Sequence, residues 1–93
     1  MAWTDYFVNS IAGAKAIVSP FGEPYISTEI AKGEFVEIHL TRNPLMLPFC
    51  ITFHDANETR DYGYVGTREM ACKLAMDVIQ LRLNSHELVL TDY

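Results

Sequence analysis

The sequence predicts an α+β fold in which a four- or five-stranded antiparallel sheet packs on one long helix in the C-terminal half and a shorter N-terminal helix. Apolar residues recur at helical spacing towards both ends of the chain, and runs of alternating apolar and polar residues lie between them. The 93 residues, 49% of them hydrophobic, have a globular composition and leave room for one domain. No linker, low-complexity run or repeat divides them. We therefore expect residues 1–93 to form a single domain.

The first segment, from about Thr4 to Val18, has the pattern of a helix that Ser19-Pro20 would end. Its apolar residues recur at spacings of four and three: Trp3, Phe7, Ile11 and Ala14. Gly13 weakens this prediction, because glycine costs about 1 kcal/mol relative to alanine inside a helix. A shorter helix followed by an extended Lys15–Val18 is the alternative.

The next segment predicts a β-hairpin made of Tyr25–Ile30 and Glu34–Thr41. A three-residue loop, Ala31-Lys32-Gly33, would put the apolar residues of both strands on one face and a left-handed glycine at Gly33. A two-residue loop would split the apolar residues between opposite faces, which costs burial. The inward residues are then Ile26, Thr28, Ile30, Val36, Ile38 and Leu40. The outward residues of the second strand are Phe35, Glu37 and His39.

Two more strands are predicted at Phe49–His54 and Arg60–Val65, because both runs alternate in character and a polar run, Asp55–Thr59, separates them. A two-residue turn within that run would place Tyr62 and Tyr64 beside the apolar face of the preceding strand.

The strongest helix signal runs from about Arg68 to Leu83, with Thr67 as its cap and Asn84 as its stop. One apolar flank consists of Met70, Leu74, Val78 and Leu81, and the other of Cys72, Met76, Ile79 and Leu83. A surface helix needs one apolar stripe, so the second flank requires cover from the first helix, another strand or another chain. We expect His86–Thr91 to add an edge strand, and the Cys72 flank is the candidate dimer face.

The net charge of −5 and the scattered Lys and Arg residues argue against direct nucleic-acid binding. No apolar stretch approaches the roughly 20 residues that cross a bilayer, and the first residues do not resemble a signal peptide. We therefore expect a cytoplasmic protein with no membrane contact. Its two cysteines, Cys50 and Cys72, are expected to be buried free thiols.

No combination of residues predicts an enzyme, a metal site or a cofactor. Cys50 and His54 lie four residues apart on one predicted strand, about 13 Å and too far for a catalytic dyad. The three histidines lie in three predicted strands without zinc-ligand spacing: His39, His54 and His86. The acidic turn Asp55–Asp61 resembles a calcium loop only in part, since Arg60 replaces the required glycine and Gly66 the required glutamate.

The run from Phe49 to Leu83 consists of a strand, an Asp-Ala-Asn-Glu turn, a strand with Tyr-Gly-Tyr, Gly-Thr-Arg-Glu, and a helix rich in Ala, Leu and Met. In architecture and composition it resembles small proteins of bacteriophages and mobile elements, among them several anti-CRISPR proteins. The resemblance covers about a third of the chain. It implies a protein that blocks a host complex by occupying a protein surface, and it assigns no functional residue.

Two other families share parts of this pattern. The helix–sheet–helix order is similar to the double-stranded-RNA-binding domain, but Arg68, Glu69 and Met70 stand where that domain has basic residues. A small acidic chain of helix and sheet also resembles type III secretion chaperones, which are appreciably longer.

We therefore expect a non-catalytic inhibitor or adaptor that acts by protein–protein contact, with a phage anti-CRISPR that blocks a host defence complex as the sharpest version. The predicted partner-binding residues are Phe35, Glu37, His39 and Tyr25, because aromatic residues beside charge are typical of binding hot spots. The alternative for Phe35 is cover by a loop or by the first helix. The alternative function is a small acidic dimeric chaperone or immunity-type protein.

Overall fold

The computed structural model describes residues 2–91, with side chains described as far as residue 85. Its elements in chain order are α1 (Thr4–Ser10), β1 (Ala14–Val18), β2 (Pro24–Ala31), β3 (Glu34–Leu40), β4 (Phe49–His54), β5 (Thr59–Val65) and α2 (Arg68–Thr91). The strands form one antiparallel sheet in the order β1-β2-β3-β4-β5, in which each strand pairs with its neighbours in sequence. The predicted α+β class is confirmed, with five strands.

The N-terminal segment follows the shorter-helix alternative. Helix α1 ends at Ser10, and β1 begins at Ala14. Between them Gly13 has a φ of 81°, a left-handed conformation that interrupts a right-handed helix and turns the chain into the sheet.

The β2–β3 hairpin has the predicted register but a different turn. Ile26 lies opposite Ile38 and Thr28 opposite Val36, so the apolar residues of both strands share one face. The register then shifts between Glu29 and Ala31, which leaves Lys32-Gly33 alone as the turn. The extra residue therefore forms a β-bulge in β2 and is not part of a three-residue loop.

The β4–β5 pair contains a second bulge. Ile51 pairs with Gly63 and Thr52 with Asp61, so Tyr62 is the extra residue on β5. Tyr62 packs against the core as predicted, but Tyr64 pairs with Cys50 on the opposite face. The prediction that both tyrosines share one face was wrong because a bulge reverses the side-chain alternation beyond it.

The core lies between one face of the sheet and the two helices. Its largest fully buried side chains are Phe7, Ile26, Val36, Ile38, Ile51 and Phe53. Helix α2 adds Ala71, Ala75 and Val78 to this cluster, and the two alanines let the helix approach the sheet closely. Since both helices contribute to the same cluster, they lie on the same side of the sheet.

Helix α2 is capped as predicted but is longer than predicted. The backbone N–H of Met70 donates to Oγ1 of Thr67 at 3.1 Å, which satisfies one of the free donors of the first turn. The helix then continues past Asn84 to Thr91, so the predicted edge strand His86–Thr91 was wrong. The segment after Asn84 contains neither glycine nor proline, and side-chain bonds such as Gln80 Nε2 to Asn84 Oδ1 at 2.9 Å support continuation.

The two apolar flanks of α2 border one buried stripe. The buried residues of the helix are Ala71, Cys72, Ala75 and Val78. By helical periodicity Met76 and Leu83 lie on one side of this stripe, 50% and 37% exposed. Met70 and Leu81 lie on the other side, 54% and 53% exposed. Phe7 and Ile11 of the N-terminal segment are buried in the same cluster, so the protein covers the stripe itself and leaves both borders half-exposed.

Candidate functional site on the open face of the sheet

The sheet surface opposite α1 and α2, here the open face, carries every residue predicted from the sequence to bind a partner. Side chains alternate along each strand, so the register fixes which residues project there. They include Tyr25 and Ser27 from β2, Phe35, Glu37 and His39 from β3, and Cys50, Thr52 and His54 from β4. Tyr25, Phe35, Glu37 and His39 are half-buried. Helix α1 lies on the other side of the sheet, so it does not cover Phe35.

Glu37 is the centre of a hydrogen-bonded cluster. Nε2 of His39, two residues along β3, lies 2.9 Å from one carboxylate oxygen of Glu37. Nε2 of His54, on β4, lies 2.7 Å from the other. Because Glu37 pairs with Thr52 in the sheet, His54 is its diagonal neighbour and reaches it from the side. The Glu37 side chain is 12% exposed, whereas His39 and His54 are 41% and 36% exposed.

Aromatic rings stack on both imidazoles. The Tyr25 ring lies parallel to His39, with centroids 4.8 Å apart and planes 15° apart. The Phe35 ring covers His54 in the same way, at 5.1 Å and 23°. These five residues, called the Glu37 cluster below, form one continuous group across β2, β3 and β4. Each ring limits the rotamers of the imidazole it touches, so the cluster is ordered before any ligand arrives.

The ionisation of Glu37 determines which ring nitrogen of His39 and of His54 carries the proton. Burial raises the pKa of this carboxyl, but the hydrogen bonds and positive charge of His39 and His54 together outweigh burial and hold the pKa below its ordinary value. The ionised carboxylate can only accept hydrogen bonds, so each histidine must carry its proton on Nε2. Within the described side chains the Nδ1 atoms of both rings have no hydrogen-bond partner. In the neutral form they are therefore free acceptors at a partly exposed surface.

Cys50 lies opposite His39 on the open face, yet the two do not form a nucleophile–base pair. Burial raises the pKa of the Cys50 thiol, and its hydrogen bond with Tyr64 only partly offsets that effect. The Nε2 atom of His39 is engaged by Glu37 instead. The thiol is therefore protonated at neutral pH and has no base within its hydrogen bonds.

Two grooves flank the cluster. The larger, of about 490 Å³, runs from Glu37, His39 and His54 to the end of the sheet. The smaller, of about 230 Å³, lies on the other side and is also lined by Glu37 and His54. At the end of the larger groove the Arg42–Glu23 ion pair, at 3.0 Å, joins the β3–β4 loop to the β1–β2 loop.

The same two loops carry the most exposed apolar side chains of the described chain. Phe21 in the first loop and Leu45 in the second are each 92% exposed. Both loops stand at the same end of the sheet, where the Arg42–Glu23 ion pair joins them. Exposed aromatic and aliphatic residues next to an ordered polar cluster give this end of the molecule an unusually apolar character.

The candidate dimer face is only partly exposed. Cys72 is buried, with its Sγ 3.8 Å from Sδ of Met76, and Ile79 is half-buried. Met76 and Leu83 are the two members that a second chain could contact directly. The role of this face, like that of the predicted partner-binding residues, stays a prediction.

The described residues include no group of three or more His, Cys, Asp or Glu placed to hold a metal ion. Both cysteines are free: Cys50 lies on the open face, and Cys72 lies in α2, which packs on the other face of the sheet. No helix among the described residues is long and apolar enough to cross a membrane. The side chain of His86 lies outside the described part.

The sequence did not assign His54, Phe21 or Leu45 to the site. Alternation along β4 does place His54 on the side away from Phe53, so its face was available from the pattern. The contact of His54 with Glu37 could not be predicted from the pattern, because the eight-residue connection between β3 and β4 does not fix the register of the two strands. Phe21 and Leu45 carried a weaker signal, namely large apolar residues inside glycine- and proline-containing loops.

No family model matches the chain, and comparison with curated proteins and with solved structures gave no significant match.

Proposed function

We propose that this protein is a non-catalytic inhibitor or adaptor that binds a partner protein through the open face, with the Glu37 cluster at the centre of the contact. The observation that carries the proposal is a sheet face that no helix of residues 2–91 covers and whose middle holds stacked aromatic and ionisable side chains. An ordinary solvated sheet face is instead covered by dispersed polar residues. An inhibitor of the anti-CRISPR type, directed at a host defence complex, is the sharpest form of this proposal.

The energetics of the cluster support a binding role. Aromatic residues with a polar neighbour dominate the free energy of many protein interfaces, because they bury large areas and fill pockets. The stacks of Tyr25 on His39 and of Phe35 on His54 also restrict these side chains in the free protein. Less conformational entropy is then lost on association.

The test is a double substitution, Phe35→Ala with His39→Ala. Partner binding should be lost, since both stacks and one hydrogen bond to Glu37 disappear from the centre of the contact. The melting temperature should fall by only a few degrees, because both side chains lie outside the core and the loss is limited to these contacts. A matched control, Met70→Ala with Lys73→Ala, removes two exposed side chains of α2 and should leave binding intact.

The partner is identified by pull-down and mass spectrometry, and its affinity for each variant is then measured by calorimetry. If the wild type and the Phe35→Ala/His39→Ala variant bind the partner with equal affinity, the open face is not the binding site. A large fall in melting temperature would show that these residues support the fold.

A second function, that of a small dimeric chaperone or immunity-type protein, is favoured by the half-exposed Met76 and Leu83. Methionine adapts to imperfect packing and is common at such surfaces. The two proposals differ in the oligomeric state, which light scattering measures.

A further inference from the structure

The two histidines of the Glu37 cluster share one carboxylate, so their hydrogen-bonding roles are tied together. Each donates from Nε2 to Glu37, which leaves Nδ1 of both rings as an acceptor when the rings are neutral. Protonation adds N–H donors at both Nδ1 positions without breaking either bond to Glu37. The same surface then changes from two acceptors to two donors.

The charge of the cluster changes together with its hydrogen bonding. With neutral imidazoles the cluster carries the single negative charge of Glu37, and with both protonated it carries one positive charge. Histidine is the side chain that ordinarily changes charge between about pH 5 and 8. The lowered pKa of Glu37 keeps the carboxylate ionised throughout that interval.

The surroundings of the cluster are acidic. The carboxylates that face it or line its groove come from the β1–β2 loop, β2, the β4–β5 loop and β5: Glu23, Glu29, Asp55 and Asp61. The cations are Lys15 on β1, Arg42 after β3, which pairs with Glu23, and Arg82 on α2, whose charge acts on Asp55. Cys50 and Tyr64 have raised pKa values and stay uncharged at neutral pH. Counting Glu37, two of the five carboxylates are thus offset by Arg42 and Arg82, and three remain against the single cation Lys15. A basic surface therefore complements the open face.

We propose that the open face binds a basic, hydrogen-bond-donating protein surface at neutral pH and releases it as His39 and His54 become protonated. This inference rests on the proposed function of the open face and adds the chemistry of the partner and its regulation. Protonation removes two acceptors and adds two positive charges at the centre of the contact. Both changes oppose a partner that supplies Lys, Arg and N–H groups.

The test uses a random peptide library selected on the immobilised protein at about pH 7.5. The matched variant is His39→Gln with His54→Gln, because Gln Nε2 can donate to Glu37 while its oxygen accepts, and Gln does not protonate. Enriched peptides should be rich in Lys and Arg and should lose binding to the Phe35→Ala/His39→Ala variant. Their affinity for the wild type, measured by fluorescence anisotropy, should fall about tenfold between about pH 7.5 and 5.5, and for the double Gln variant by less than about twofold.

Enrichment of acidic peptides, or an equal loss of affinity in the wild type and the double Gln variant, would overturn this inference while leaving the open face as a binding site. Enriched peptides that bind the Phe35→Ala/His39→Ala variant as tightly as the wild type would instead contradict the proposed function of the open face. A measurement on the free protein needs no partner: long-range ¹H–¹⁵N correlation spectra should show both histidines protonated on Nε2 and not on Nδ1 at about pH 7.5. A proton on Nδ1 of either ring at that pH would contradict the proposal.

Discussion

Nε2 of His54 lies 2.7 Å from a carboxylate oxygen of Glu37, seventeen positions earlier in the chain, and this contact joins β4 to β3 across the open face. The other carboxylate oxygen takes the hydrogen bond from His39. One half-buried glutamate therefore orders two imidazoles, and each imidazole in turn supports an aromatic ring. Glu37 is the residue on which the whole cluster depends.

Replacing Glu37 by Gln should lower the free energy of unfolding by about 1–2 kcal/mol at pH near 7, since two hydrogen bonds to a charged acceptor are weakened. The folded-state pKa of Glu37 is lowered, so its contribution is full above the unfolded-state pKa and is lost as the pH falls through the folded-state value. The difference between wild type and variant should therefore shrink as the pH falls from near 7 to well below the ordinary pKa of glutamate. Urea unfolding at both pH values measures it.

Asp77→Asn is the control for the Glu37 variant, because Asp77 belongs to an exposed ion pair with Lys73 on α2. Exposed pairs contribute little, so its effect should be small at either pH. A Glu37→Gln difference that does not depend on pH would mean that packing, and not charge, gives Glu37 its role.

The residues that β2 and β3 contribute to the open face could be predicted, because local sequence patterns determine which side of the sheet they occupy. Alternation along β3 puts Phe35, Glu37 and His39 on one side, and the burial of Ile26 and Ile38 sets the β2–β3 register. That register brings Tyr25 beside His39. These residues are near in sequence, and a short hairpin connects them.

The contact of His54 with Glu37 could not be predicted in the same way. It depends on the register between β3 and β4, whose connection, residues 41–48, is eight residues long and contains two prolines. That register is set in three dimensions, where Ile38 meets Ile51 and Val36 meets Phe53 in the core. The bulge at Tyr62 could not be predicted either, because the sequence does not distinguish Tyr62 from Tyr64 as the residue that packs against the core.

Gly33→Ala should destabilise the fold by about 1 kcal/mol or somewhat more. Gly33 has a φ of 77° in the β2–β3 turn, and an alanine there would be strained although no neighbouring atom lies within 4 Å of an added Cβ. Gly66→Ala is the matched control, since Gly66 is outside the positive-φ region and an added Cβ would meet Leu47 at 3.7 Å, an ordinary contact. Equal stability of the two variants in urea unfolding would contradict the predicted turn strain.

Thr67→Ala should cost about 1 kcal/mol, because it removes the side-chain acceptor of the Met70 N–H at the start of α2. Thr67→Ser keeps that oxygen and should restore most of the loss. Thermal unfolding of both variants measures the effect. If serine fails to restore stability, the methyl group of Thr67 matters more than its hydroxyl.

The last prediction concerns self-association through α2. Met76 and Leu83 border the buried stripe on one side and remain 50% and 37% exposed. A two-fold contact would cover them with the same residues of a second copy, and this is the commonest symmetry of small oligomers. Light scattering over a range of concentrations should then show a rise above the chain mass of 10.6 kDa.

Met76→Glu should abolish that rise in mass, because it places an unpaired charge in the contact. Met70→Glu is the matched control: Met70 is 54% exposed on the opposite border, so the same charge there should leave the dimer intact. If Met70→Glu dissociates the dimer and Met76→Glu does not, the contact lies on the border that contains Leu81. A mass that stays near 10.6 kDa at high concentration in the wild type would rule out the dimer, and with it the chaperone-like alternative.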